Sequence, residues 1–140
     1  MILKTLALSN SMNKEFTHES EFGNLDLDIS FTYSGRQISN PVDAAVFNFK
    51  GTSRNQLWQH GQNLVAVIDN SSGIVLGATS YSSNSQTFYF EEVMSISVPY
   101  LAMKRIASAK TLAFQLGTRN ISISNDQLND LRALAALMAH

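Results

Sequence analysis

The sequence of 140 residues contains no cysteine and few charged residues. Without cysteine the chain can form no disulfide, no thiolate metal site and no cysteine nucleophile, and its redox compartment stays undetermined. Charged residues make up 15% of the chain, against a typical value of about 25%, and the net charge is -1. A balance so close to neutral gives no electrostatic footprint for nucleic acid or for an anionic membrane, so we expect neither partner.

Long hydrophobic runs are also missing. No stretch approaches the roughly 20 apolar residues that a membrane-spanning helix needs. The apolar start at residues 1–8 is too short for a signal peptide and lacks a small-residue cleavage site, so we expect a strand there. We expect the chain as given to stay in the cytoplasm, with export the alternative if its start is incomplete. With 44% hydrophobic content, residues 1–140 are expected to form a single domain around one core.

The clearest structural pattern covers residues 99–140. Pro99 suits the first turn of a helix, and apolar side chains follow at helical spacing up to residue 110. Residues 111–116 and 121–123 alternate apolar and polar side chains on either side of a turn, which predicts a β-hairpin. Ser124 and Gln127 form a capping box that starts a terminal helix. The buried stripe of that helix is predicted to be Leu128, Leu131, Leu134, Ala135 and Met138.

Strand patterns fill most of the preceding chain. Residues 25–33 alternate without a break, residues 44–49 predict another strand, and residues 10–24 are polar and predict a loop or a partly ordered segment. Residues 64–68 and 74–79 predict a hairpin in which Gly73 adopts the left-handed conformation.

Residues 87–98 also read as a strand, with a change of register near Glu91 and Glu92 because Val93 and Ile96 do not share parity. Together with the helices, these strands predict an α+β fold. We expect a mostly antiparallel arrangement of about eight strands, as a curved sheet or a sandwich, with two C-terminal helices.

Spaced apolar positions between residues 25 and 138 carry a resemblance to other proteins. They lie in Ala45–Phe49, Leu64–Asp69, Leu76–Gly77, Phe90–Glu92, Leu101, Ile106–Ala109, Leu116–Gly117, Ile121–Ser124 and Leu131–Arg132. In this spacing the chain resembles a group of uncharacterised bacterial domains, many of them from exported proteins. It departs from that group at Asn70, where glycine usually follows the aspartate. The resemblance implies the architecture and an exported origin, and it assigns no activity and no catalytic residue.

Residues that carry chemistry are sparse. His18 lies close to Glu19 and Glu21, which together could bind a metal or form a base with its orienting carboxylate, and the alternative is an ordinary loop histidine. His60 follows Trp58 by two residues, and this pair could line a pocket or anchor a loop. No cysteine exists and the histidines lack ligand spacing, so we predict no metal, no cofactor and no catalytic residue.

Two further features concern the strand region around residues 81–92. Glu91 and Glu92 are neighbours on a strand, so at most one of them points inward. Tyr81, Phe88, Tyr89 and Phe90 fit either ordinary strand propensity or a face that binds carbohydrate or peptide. The candidate binding residues are Trp58, His60, Tyr81, Tyr89 and Glu91.

These observations favour a non-catalytic binding or assembly module. We expect a second copy or another protein to dock on strand edges or on the aromatic segment at residues 81–90, because such edges are usually protected by charge or proline and this chain has little of either. One alternative is a small hydrolase or metal-dependent enzyme that uses His60 or His18 with a carboxylate from Glu91, Glu92 or Asp43. Another is a carrier with an apolar pocket between sheet and helix.

Overall fold

The structure is a computed structural model, and it describes residues 2–7, 24–33, 43–56, 58–71 and 73–138. The predicted loop at residues 10–24 and His18 lie outside the described residues, apart from Asn24, at which a strand begins.

The described residues form nine strands and two helices. In chain order they are β1 Ile2–Ala7, β2 Asn24–Tyr33, β3 Ala44–Ser53, β4 Asn63–Ile68, β5 Ile74–Ala78, β6 Ser80–Ser85, β7 Phe90–Pro99, α1 Tyr100–Ala107, β8 Leu112–Leu116, β9 Arg119–Ile123 and α2 Asn125–Met138. Every strand pairing is antiparallel. The predicted α+β class with two C-terminal helices is confirmed.

The strands form two sheets whose apolar faces meet. One sheet has the order β1-β2-β3-β7-β6 and the other the order β5-β4-β8-β9. The alternation in β2 and β3 places one apolar side chain in two toward the second sheet, and Phe47 and Phe49 contact Phe114 of β8 edge to face at centroid distances of 5.8 and 6.1 Å. The two sheets and both helices contribute to one buried apolar cluster.

The C-terminal part follows the sequence pattern closely. Pro99 is the residue before α1, and the Ser124 hydroxyl accepts a hydrogen bond from the N–H of Gln127 at 3.2 Å. In return, the Gln127 side chain accepts one from the N–H of Ser124 at 3.0 Å, so the predicted capping box is confirmed. The five apolar residues predicted to line the inner face of α2 are all buried. Neither helix is long and apolar enough to cross a membrane.

An arginine fastens the two helices to each other. The Arg132 guanidinium of α2 donates hydrogen bonds to the carbonyl oxygens of Ala107 at 3.1 Å and Ala109 at 2.6 Å. These carbonyls lie at and just after the end of α1, where helical acceptors lack partners within the helix. Arg132 thus satisfies the end of α1 and holds α2 beside it.

Two local predictions are wrong. The ladder between β3 and β7 runs without a shift from the pair Ala44 and Pro99 to the pair Ser53 and Phe90, so there is no register change at Glu91. The buried Glu92, Met94 and Val98 share one face of β7 with Ile96, and Val93 lies on the opposite face, so the difference in parity between Val93 and Ile96 needs no register change.

The turn between β4 and β5 also differs from the prediction. Asp69 and Asn70, with φ of 54° and 57°, take the left-handed conformation, and the N–H of Ser71 donates to the carbonyl of Ile68 at 3.1 Å. Gly73 is required for a different reason. A Cβ atom there would lie 2.4 Å from Cγ1 of Val65, so the glycine permits close approach of the two strands.

Candidate functional site

The segment at residues 81–90, predicted as one aromatic strand, is a hairpin. β6 and β7 pair from Ser80 with Ser95 to Ser85 with Phe90, and residues 86–89 connect them. β6 carries small polar side chains and is exposed along its length, except for the half-buried Tyr81. Because β6 is the last strand of its sheet, it presents one open edge among the described residues.

The hydrogen bonds around β7 show which backbone groups lie on that open edge. The N–H of Tyr100 donates to the carbonyl of Asp43 at 2.7 Å, and the N–H of Gln86 donates to the carbonyl of Tyr89 at 2.8 Å. Antiparallel pairs alternate between hydrogen-bonded and non-hydrogen-bonded positions. Starting from either hydrogen bond, this alternation can be followed along the paired strands to β6. It shows that Tyr81, Ser83 and Ser85 direct their N–H and C=O groups away from β7.

The open edge is also free of charge. No lysine, arginine, aspartate or glutamate lies between Asp69 and Glu91. This segment contains β5 and β6, which are edge strands of the two sheets, with Thr79 between them. Natural proteins usually protect edges with charged side chains or proline, and this segment has neither.

Exposed apolar side chains lie along the same segment. Val75 of β5 is 74% exposed, and in the β6–β7 turn Phe88 is 86% exposed and Tyr89 40% exposed. Single exposed apolar residues are ordinary, and here three of them lie within one segment that contains no charged residue. We call the open side of β5, β6 and the turn at residues 86–89 the uncharged edge.

A buried carboxyl group lies beneath this edge. Glu92 is fully buried, and its Oε2 accepts hydrogen bonds from the N–H of Gln59 at 2.8 Å, the N–H of Trp58 at 3.1 Å and the hydroxyl of Tyr81 at 2.6 Å. Gln59 has a φ of 69°, a backbone conformation that residues other than glycine adopt uncommonly. Glu92 therefore holds the loop between β3 and β4 in a strained shape against β6.

The surroundings of Tyr81 shift the pKa of its hydroxyl group. Burial raises the pKa of the Tyr81 hydroxyl above its ordinary value, and the hydrogen bond to Glu92 raises it further. The neutral hydroxyl is the form that donates to the carboxyl group, so Tyr81 acts here as a hydrogen-bond donor that links β6 to the loop.

The structure separates the predicted binding residues into three places. Trp58 and Tyr81 meet at Glu92, with the indole of Trp58 buried. Glu91 points to the other face of the sheet, where it pairs with Lys50 at 3.3 Å.

Tyr89 and His60 lie apart from that cluster, on the surface. The backbone carbonyl of Tyr89 accepts from Gln86 in the hairpin turn. His60 is exposed, and its Nδ1 lies 2.9 Å from the carbonyl oxygen of Gly61 and 3.3 Å from Nε2 of Gln62. Within the described ranges no group of three His, Asp or Glu side chains could hold a metal ion.

Some residues of the site carry no positive signal in the sequence. Ser83 and Ser85 belong to a strand without alternation, since a strand exposed on both faces has no apolar period. The sequence signal for these residues is the lack of charged side chains in the long segment that ends at Phe90.

Comparison with protein-family models, curated proteins and solved structures found no match. The resemblance to the bacterial domain group stays a prediction.

Proposed function

We propose that this protein is a non-catalytic assembly module that joins chains by adding a strand to its uncharged edge. The observation that carries the proposal is β6, an exposed edge strand whose outward backbone groups at Tyr81, Ser83 and Ser85 face no strand of the described chain. Main-chain hydrogen bonds to such an edge supply affinity, and the side chains beside them supply specificity.

The cluster at Glu92 supports this role by stiffening the edge. Tyr81 is anchored to Glu92, which also holds the backbone of Trp58 and Gln59, so β6 is fixed both by its ladder with β7 and by a side-chain contact. A strand that is already extended and fixed loses little conformational freedom when a partner pairs with it.

The enzyme and carrier alternatives have less support. Among the described residues the contacts of His60 are to a backbone carbonyl and an amide, and none is to a carboxylate. The backbone carbonyl of Asp43 accepts a hydrogen bond from the N–H of Tyr100, the first residue of α1. Between the sheets, the rings of Phe47 and Phe49 each contact the ring of Phe114, which favours a packed core over a ligand cavity.

Sedimentation velocity over a range of micromolar concentrations tests the proposal. We expect the wild type to associate as the concentration rises and Asn84→Lys, on β6, to remain monomeric because a lysine protects an edge. Ser122→Lys is the matched control, since Ser122 is an exposed residue on β9, the edge strand of the other sheet.

Circular dichroism should show both variants folded. Association of the wild type and of Ser122→Lys, without association of Asn84→Lys, is the expected result. A wild type that stays monomeric, or an Asn84→Lys variant that associates like the wild type, contradicts the proposal.

A further inference from the structure

We infer that the strand added at the uncharged edge is β6 of a second copy, which pairs antiparallel about a two-fold axis through Ser83. The inference rests on the proposed function and adds the identity of the partner and the register. It follows from the direction of the backbone groups and from the chemistry of the side chains that would face one another.

The backbone directions permit only some registers. Hydrogen-bonded pairs must join residues whose N–H and C=O groups both point outward, so Tyr81, Ser83 and Ser85 must pair among themselves. One register uses all three in both copies. It pairs Ser83 with Ser83 of the second copy and Tyr81 with Ser85 of the second copy, and the same pairs repeat across the axis.

The side chains in this register are compatible with each other. Ser82 faces Asn84 of the second copy, and the strand has no charged residue that two-fold pairing would bring against its own copy. The other edges are less suited to self-pairing. β1 contains Lys4 and β9 contains Arg119, while β5 has only five residues, and its pairing with β4 is irregular between Leu64 and Val65.

Cysteine cross-linking tests the register directly, because the natural chain has no thiol. In Ser83→Cys the two new thiols face each other, on Cα atoms about 5.5 Å apart in a hydrogen-bonded pair. Disulfides span Cα distances of about 4.4–6.8 Å, so mild oxidation should yield a covalent dimer as the main product.

Ser82→Cys is the matched control on the same strand. In the inferred register its two thiols are displaced by two residues, about 7 Å along the strand, which puts them out of reach of each other. A mixture of Ser82→Cys and Asn84→Cys proteins should instead cross-link as a heterodimer, because these positions face each other. Ser122→Cys on β9 measures cross-linking by random collision.

The outcomes separate this inference from the proposed function. A covalent dimer of Ser83→Cys, with no more cross-linking of Ser82→Cys than of Ser122→Cys, supports the register. A wild type that dimerises in sedimentation while Ser83→Cys fails to cross-link overturns the register and leaves edge assembly standing. A wild type that stays monomeric, including in the presence of a synthetic peptide with the sequence of residues 79–87, overturns both.

Discussion

Replacing Glu92 by leucine should destabilise the protein strongly, although the new side chain is apolar and enters an apolar core. Glu92 is fully buried, and its carboxyl group accepts hydrogen bonds from Trp58, Gln59 and Tyr81. Leucine accepts none of them. The substitution removes the acceptor and leaves the three donor groups in place without a partner at that position.

The expected magnitude follows from the surroundings of each donor. The backbone N–H of Trp58 lies in a buried contact, and a buried donor without a partner costs about 1–3 kcal/mol. Gln59 is exposed and Tyr81 is half-buried, so water can replace part of what they lose. We expect a total loss of about 2–5 kcal/mol, a large share of the roughly 5–15 kcal/mol that stabilises a typical domain. Tyr81→Phe removes one donor together with its bond and should cost about 1 kcal/mol.

Glu91→Leu is the matched control, since Glu91 is the preceding residue of β7 and points to the opposite face. Its ion pair with Lys50 is partly exposed, and pairs of this kind contribute less than about 1 kcal/mol. Urea unfolding followed by tryptophan fluorescence measures both variants, because Trp58 is the single tryptophan and lies at the site. A Glu92→Leu midpoint equal to that of the wild type, at equal slope, would refute the reasoning.

Two further predictions concern other parts of the fold. Ser124→Ala should lower the free energy of unfolding by about 1 kcal/mol because it removes the acceptor for the N–H of Gln127, and Ser122→Ala on the exposed face of β9 should change it little in the same urea titration. The backbone N–H groups of Thr111 and Lys110 hold the pKa of Asp69 below its ordinary value of 3.8. This stabilisation is present above that ordinary value and is lost as the pH falls through the lower pKa of the folded state. Urea midpoints at neutral pH and in acid should therefore show Asp69→Asn less stable than the wild type at neutral pH, with the difference shrinking in acid; a difference that does not change with pH would contradict the assignment.

The parts of the fold predicted correctly have signals that are local in the sequence. The capping box needs two residues three positions apart, and the alternation of β2 needs only neighbours on one strand. In both cases the residues that determine the structure also stabilise it, so one short segment of sequence is enough to predict it.

The parts predicted wrongly depend on distant partners or on exposure. Glu92 can be buried because donors 33 and 34 residues away reach it, and nothing near Glu92 in the sequence announces them. β6 is exposed on both faces, so its side chains are not selected for alternation. In the candidate site, Trp58 and Tyr81 were predicted as binding residues because they are aromatic, whereas Ser83 and Ser85 have no such signal in the sequence.

The pairing of β3 with β7 implies that one edge of β3 stays unpaired while the chain is being synthesised on the ribosome. β2 and β3 can pair as soon as both are synthesised, but β7 ends at Pro99, more than forty residues after the end of β3. During that interval β3 is itself an open edge, with Phe47 and Phe49 on the face that the second sheet later covers. Nascent chains are prone to associate through such surfaces. When β7 pairs with β3, it covers this more apolar edge. β6, which is paired with β7 and carries small polar side chains, then forms the edge of the finished sheet.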